Sequence, residues 1–301
     1  MINQLEIQDE ELQSVISALL ISGQDIYNEV KSGNGLDFLK NTNESGDDQL
    51  ELDVIADECF QKHISEKTNV RFILSEERPK LVEYGTGPYS IALDPLDGSK
   101  SALVGIPSGA IFCVFNQPQN ISDFNGQNVV SGGFFVFGIN LEVYLSLKGK
   151  AFKGLWKSNS WSFIPLQKMP HKKMFAINVS NLSKWDKWLQ NHYTTLVNKE
   201  GADGKSFNIR WYASMVSEVK RLILQGGIFS YPSDSREGYS NGHLRLVYEA
   251  IPMAYLIESI GGASTNGDMS ILNVQVHEHH QKTAVFLGEK QLITDIEKSK
   301  N

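Results

Sequence analysis

Five short apolar runs in the first half of the chain constrain its fold most: VRFIL (70–74), YSIALD (89–94), GAIFCVF (109–115), VVSGGFFVFG (129–138) and LEVYLSLKG (141–149). Runs this brief, rich in β-branched and aromatic residues and separated by turn formers, are strands rather than core helices. A sheet of several strands therefore fills the middle of the chain. Ahead of it, Leu12, Val15, Ile16, Leu19, Leu20, Ile26, Tyr27 and Val30 recur three or four apart, which predicts a long amphipathic helix over 11–30. The polar stretch GNGLDFLKNTNESGDD (33–48) reads as a mobile loop, and Leu52, Ile55, Ala56, Cys59 and Phe60 then resume helical spacing. Past Gly154 the pattern resets. FAINV (175–179) and GGIFSYP (226–232) read as strands, and residues 214–224 and 254–260 as helices, the latter stopped by Gly261 and Gly262. The expected architecture is two α/β halves, 1–168 and 169–301, meeting near 165–175.

With 301 residues and 41% hydrophobic content the chain is long enough for such a layered core. Lys and Arg number 28 against 35 Asp and Glu, a net charge of -7 that is the wrong sign for non-specific binding of nucleic acid or an anionic membrane. A phosphate ligand must then be met by a local site. No apolar run reaches the roughly 18 residues that span a bilayer, and the opening MINQLEIQDEEL is acidic where a leader is basic, so a cytoplasmic protein is expected. Cys59 and Cys113 sit in apolar contexts and read as buried reduced thiols.

The chemistry concentrates in carboxylates at the ends of these elements. Asp94-Pro95-Leu96-Asp97-Gly98-Ser99 follows directly on an apolar strand, so a proline-fixed, glycine-released turn converges two carboxylates with a backbone carbonyl between them. Hard divalent cations take that oxygen set, and Ser99 with the amides after it suits a phosphate. Ile73-Leu74-Ser75-Glu76-Glu77 is a second strand ending in acids, Asp47 and Asp53 flank the start of the second helix, and Glu249 lies inside the apolar run LRLVYEAIPMAYLIE. A charge there is costly unless paired or metal-bound. Together these stretches read as a metal site.

GDDQLELDVIADE, ILSEE, DPLDGS, SGGFFVFG, IRWYASMVSEVKRLILQGGIFSYP and HLRLVYEAIPMAYLIESIGG together resemble the class I fructose-1,6-bisphosphatases, within the lithium-sensitive, magnesium-dependent sugar and inositol phosphatase superfamily. The resemblance spans nearly the whole chain. It implies an α/β (α+β layered) fold, the αβαβα sandwich of the sugar phosphatases. The implied reaction is hydrolysis of the 1-phosphate of fructose 1,6-bisphosphate to fructose 6-phosphate, in gluconeogenesis, with two to three Mg2+ or Mn2+ ions and a homo-oligomer, dimer or tetramer. Carried over by position, Glu76, Asp94, Asp97, Glu249 and the carbonyl of Leu96 are similar to metal ligands. Asp47 resembles a carboxylate that recruits a further ion, Glu77 and Asp53 a pair that activates water, and Arg245 an arginine beside the reacting phosphate. The alternative for Arg245 is a surface cation on an edge strand.

The sugar end both matches and departs. Asn178, Arg210, Met215 and Tyr231 are similar to substrate contacts, with Arg210 resembling a residue passed to a neighbouring subunit. Trp211 stands where a tyrosine is expected, His243 where a lysine is, and Asn181 where another tyrosine is. The charge on His243 is conditional near neutral pH, unlike that of lysine. Lys100, Lys205 or Arg236 are available to compensate; Lys100, directly after Ser99, is either a new phosphate contact or a solvent-facing chain. The acidic arm EIQDEEL and the pair Pro88-Tyr89 replace an AMP-binding pattern, so AMP inhibition is expected to be weak or absent. Sedoheptulose-1,7-bisphosphatase or a broader sugar phosphatase is the nearest alternative activity. Beyond it stand an inositol monophosphatase and a non-catalytic sugar-phosphate-binding relative.

Overall fold

The computed structural model describes residues 2–33, 38–42, 48–198 and 204–300. Helix α1 (Glu10–Ser32) is two residues longer at its C-terminus than the periodicity indicates. Asp9 caps it by accepting the Leu12 N–H at 2.9 Å, a cap worth about 1 kcal/mol, and Gly33 ends it at φ 75°. A short antiparallel pair, β1 (Phe38–Thr42) and β2 (Asp48–Leu50), precedes α2 (Glu51–Lys67). β1 and the first residue of β2 fall inside the stretch expected to be a loop; residues 34–37 and 43–47 of that stretch, Asp47 included, lie outside the described residues.

An eight-stranded sheet follows: β3 (Phe72–Ser75), β4 (Val82–Glu83), β5 (Tyr89–Asp97), β6 (Gly109–Asn116), β7 (Val129–Phe137), β8 (Leu141–Leu147), β9 (Lys150–Lys157) and β10 (Ser160–Pro165), with the single turn α3 (Ser99–Ala102) after β5. Its order is β10-β9-β8-β7-β6-β5-β3-β4, antiparallel throughout except where β3 runs parallel to β5. The hairpin of β9 and β10 extends this sheet beyond the expected reset at Gly154, because its alternating exposed and buried residues mark a half-covered edge rather than a fully apolar strand.

The remainder supplies β11 (Met174–Ala176), α4 (Lys187–Asn198), β12 (Asn208–Ile209), α5 (Met215–Gln225), β13 (Ile228–Tyr231), β14 (Leu244–Arg245), α6 (Ile251–Ser259), β15 (Gly262–Thr265), β16 (Lys282–Thr283), β17 (Val285–Glu289) and α7 (Lys290–Lys300). A second, five-stranded sheet has the order β12-β11-β13-β17-β15, and β14 pairs with β16 apart from it.

Strand alternation reveals the layers. Along β6, Ala110, Phe112 and Val114 join one apolar cluster with α1 and α2, whereas Ile111, Cys113 and Phe115 join another with α5 and α6. Along β17, Val285 and Leu287 face that same inner cluster, and Phe286 joins a third with Leu189 and Tyr193 of α4 and Ile293 and Ile296 of α7. Both sheets are thus buried on two faces, and the order is helices, sheet, helices, sheet, helices: the expected αβαβα sandwich. Such strands read as continuous apolar runs for this reason. Cys113 is a buried free thiol, as expected, but Cys59 is only half-buried. No helix among the described residues is long and apolar enough to cross a membrane.

Candidate active site

The acid-bearing turn is built at the end of β5. Cross-strand pairs run regularly to Asp94 opposite Ile111, slip at a bulge, and resume with Asp97 opposite Gly109. Pro95 falls in the bulge, where its missing N–H is not needed by the ladder. The strand therefore runs through Asp97, beyond the expected end. The Leu96 N–H donates to Asp94 Oδ1 at 3.1 Å, which fixes the turn. Gly109 leaves room for it, since a Cβ there would lie 2.0 Å from the carbonyl oxygen of Phe135. Gly98, at φ 74°, then releases the chain into α3, in a conformation other residues adopt at a cost.

Three elements deliver further carboxylates to this turn. Parallel pairing sets Ser75 of β3 beside Leu93, and the Glu76 N–H donates to the Leu93 carbonyl at 3.0 Å, so Glu76 and Glu77 emerge next to Asp94. Glu249 lies in a widened π-helical turn, Leu246–Ala250, that leads into α6. Its Oε2 accepts the Arg245 N–H at 2.6 Å. Carboxylate oxygens of Asp94, Asp97 and Glu249 all lie within 4.8 Å of one another. Asp94 is held well above the usual carboxylate range by burial and then by Glu76, Asp97, Glu249 and Glu77. Glu249 is raised by burial and by Glu76. Asp97 is pushed up to about 6 by burial, although N–H groups at the start of α5 and the Ser214 hydroxyl pull it back. Buried acids that raise one another are a deficit of positive charge, and an all-oxygen donor set fits a hard divalent cation.

Asp53 approaches from the first turn of α2, where its Oδ2 accepts the Leu50 N–H at 2.7 Å. Burial lifts it to about 6 against that bond, a hydrogen bond with Ser99 and the charge of Lys100. One turn further, Asp57 was missed by the sequence reading. It is buried, accepts the Ser75 hydroxyl at 2.6 Å, and pairs with Arg78 Nε at 2.6 Å. Asp57 therefore braces both ends of the segment carrying Glu76 and Glu77. The available signal was its place four residues after Asp53, on the face that Ala56 and Phe60 bury.

A recess of about 300 Å3 gathers Asp53, Glu76, Glu77, Asp94, Leu96, Asp97, Glu249, Ser99, Lys100 and His243. Arg245 is 4% exposed, so it is not a surface cation; its Nε lies 3.5 Å from Glu76 Oε1. Other anticipated contacts stand elsewhere. Tyr231 stacks on His243 at 4.9 Å between ring centroids, and Tyr239 covers the other face at 5.0 Å. Trp211 stacks on Phe229, giving packing where a hydroxyl was expected. Asn178 spends its side-chain oxygen on the N–H and hydroxyl of Ser180, and with Asn181 and Tyr231 it lines a separate small cavity. Met215 is buried in the middle layer. Arg210 is exposed just beyond β12, its Nη1 donating to the Ile209 carbonyl at 2.8 Å. Arg236 is held by Asp234, at 2.6 Å for the Nη2 contact, and Lys205 opens on a different cavity with Lys172 and Lys173, which removes it from this site.

An αβαβα sandwich whose strand ends turn acids into one recess defines the layered sugar-phosphatase class. Residues 2–163 match the family model described as Fructose-1-6-bisphosphatase, N-terminal domain, and 169–301 the one described as Fructose-1-6-bisphosphatase, C-terminal domain. The chain belongs to the fructose-1,6-bisphosphatase family. It is 34% identical over 289 residues to fructose-1,6-bisphosphatase class 1 of Rhodobacter capsulatus, covering 92% of this chain and 87% of that one. With the class 1 1 enzyme of Bradyrhizobium sp. it shares 34% over 297 residues, 95% of this chain and 88% of the other. The Leishmania major fructose-1,6-bisphosphatase structure in holo form superposes with a TM-score of 0.90 at 26% identity, covering 98% of this chain and 95% of that one.

Proposed function

We propose that this chain hydrolyses the 1-phosphate of fructose 1,6-bisphosphate to fructose 6-phosphate and inorganic phosphate, as a divalent-cation-dependent enzyme of gluconeogenesis. The observation that carries the reading, beside family membership, is the close set of Asp94, Asp97 and Glu249 oxygens in a recess that Asp53, Glu76 and Glu77 also line. Glu76, Asp94, Asp97, Glu249 and the Leu96 carbonyl are the ligands for two to three Mg2+ or Mn2+ ions, with Asp47 assigned on resemblance alone. Bound cations neutralise these acids and stabilise the charge that develops on the phosphate and leaving oxygen.

Glu77 and Asp53 accept the proton of the attacking water, and an Asp53 carboxyl raised to about 6 by burial is basic enough for that role while remaining ionised at neutral pH. Asp57 positions Glu77 through Ser75. Arg245, buried beside Glu76, supplies positive charge at the phosphate side, and Ser99 and Lys100 supply contacts to its oxygens. His243, stacked against Tyr231 and Tyr239, faces the sugar end, while Asn178 lines a separate small cavity and Met215 is buried in the middle layer, so a distal-phosphate role for Asn178, Met215 and Tyr231 rests on the resemblance alone. Arg210, exposed beside the exposed Ile209 and Tyr212, suits contribution to a neighbouring protomer in a homo-oligomer. The chain works as two fused halves, 1–168 and 169–301, a division supported by the completion of the first sheet at Pro165 and the start of the second at Met174.

The altered AMP-site pattern, with Tyr89 bound to Asp9 and Pro88 beside it, together with the changed contacts at Trp211 and His243, keeps sedoheptulose 1,7-bisphosphate as the second reading. Comparing kcat/KM for phosphate release from fructose 1,6-bisphosphate, sedoheptulose 1,7-bisphosphate and inositol monophosphate tests both. Preference for the fructose ester upholds the proposal; preference for either other substrate reassigns it, and no release from any identifies a binding relative.

A further inference from the structure

We propose that Asp25, Cys59 and His63 form a second metal site, for a borderline divalent cation of the Zn2+ class, that staples α1 to α2. Cys59 and His63 are four residues apart and so project from one face of α2. Asp25 meets them from α1. A carboxylate oxygen, the sulfur and a ring nitrogen of these three all lie within 4.8 Å of one another. His63 Nε2 stands 2.7 Å from Asp25 Oδ2 and is the ring nitrogen turned toward Asp25, while its Nδ1 is buried without a hydrogen-bond partner among the described residues. The cluster opens to solvent on one side, through Asp25, whose side chain is 53% exposed against 11% for His63.

The donor chemistry separates this site from the acidic recess. Sulfur, nitrogen and oxygen together select a borderline ion over Mg2+, whereas the recess offers oxygen alone. His63 is ten residues beyond Asp53, about 15 Å along the helix, so the two sites are distinct. The charge is favourable as well. Burial first, then Asp25 and Glu29 against Lys62, hold the Cys59 thiol up to about 12, so the sulfur sits in a negative, half-covered setting that a cation relieves. On binding, Cys59 releases its thiol proton to solvent and the sulfur takes the ion in its place. The Asp25 to His63 separation must open from 2.7 Å to about 3.3 Å, the span between ligands of a tetrahedral ion with bonds near 2.0–2.1 Å. The exposed aspartate chain accommodates this by rotating. Three protein ligands leave one position for water.

The test is titration of the full chain with Co2+ in excess Mg2+, which fills the oxygen-only recess, reading the near-ultraviolet sulfur-to-cobalt absorption. One such band per chain is expected, absent in Cys59→Ser, with at least tenfold weaker binding in Asp25→Asn and His63→Gln. Zn2+ should displace the band, slow alkylation of Cys59 and raise the Tm of wild type but not of Asp25→Asn. Asp25→Asn changes an exposed group, so its result does not depend on tolerance of a core substitution. Absence of the band in wild type, its persistence in Cys59→Ser, or unchanged affinity in Asp25→Asn would overturn the site.

Discussion

Asp97 Oδ2 accepts the backbone N–H of Val216 at 2.9 Å, which ties the turn ending β5 to the first turn of α5. The Ser214 hydroxyl, the N-cap of α5, stands 3.4 Å from the same oxygen and 3.1 Å from the Pro107 carbonyl. The positive end of α5 thus faces a half-buried acid. These donors do not offset burial fully, and Asp97 remains near 6, above its unfolded value of 3.8.

A pH dependence follows. A carboxyl with a raised folded pKa binds more protons folded than unfolded between those two values, so it costs stability as pH rises from about 4 through about 6. Asp53 behaves alike, also near 6. A cation competes with the same proton. The rise in Tm produced by Mg2+ should therefore be small at pH 4.5 and grow to its full size above pH 6.5, and Asp97→Asn should reduce it. An Mg2+ increment that shrinks over that range would contradict the assignment.

Glu77→Gln should lower kcat by about 10²–10⁴-fold, the usual contribution of a general base, while KM stays nearly constant. Asp57→Asn should also lower kcat, through the loss of its grip on Arg78 and Ser75, and cost about 1–3 kcal/mol of stability. The two separate on restoring geometry: Asp57→Glu should recover part of the turnover, and Glu77→Asp should recover little. Wild-type turnover in Glu77→Gln would show that the base is misassigned.

How much of this was legible in the sequence depends on burial. Strands buried on both faces, such as Gly109–Asn116, announce themselves as apolar runs, and DPLDGS declares its turn because proline, aspartate and glycine each suit one position in it. The edge hairpin ending at Pro165 and the outer helices Lys187–Asn198 and Lys290–Lys300 were passed over, since half-exposed elements carry mixed patterns. Asp57 escaped because its role lies in reaching Ser75 and Arg78, which are 18 and 21 residues away. The role of Trp211 as a packing ring is likewise set by a partner, Phe229, on another element.

The sugar end yields a KM prediction. Arg236 is committed to Asp234 and Lys205 opens elsewhere, so neither compensates at the recess for the proposed change of a lysine to His243. His243→Lys should lower the KM for fructose 1,6-bisphosphate by about tenfold, the equivalent of one charge-assisted hydrogen bond. Arg210→Ala should raise it by a similar factor with kcat little changed, in a protein whose light-scattering mass exceeds that of one chain. A fully active monomer, or unchanged KM in Arg210→Ala, would remove the shared-site reading.

AMP should not inhibit. The Tyr89 hydroxyl donates to Asp9 Oδ2 at 2.8 Å, so the tyrosine already serves the cap of α1, and Pro88 has no cation to offer. A nucleotide phosphate approaching this end would meet Asp9 and Glu11. Activity assayed across micromolar to millimolar AMP should stay level, and half-inhibition in the micromolar range would refute the argument.

The most direct measurement is the stoichiometry of fructose 1,6-bisphosphate turnover with Mg2+ present and after chelation. The account predicts one inorganic phosphate and one fructose 6-phosphate per substrate consumed, abolished by excess chelator and restored by added Mg2+ or Mn2+. Phosphate release that continues undiminished in chelator, or loss of the 6-phosphate instead of the 1-phosphate, would contradict it.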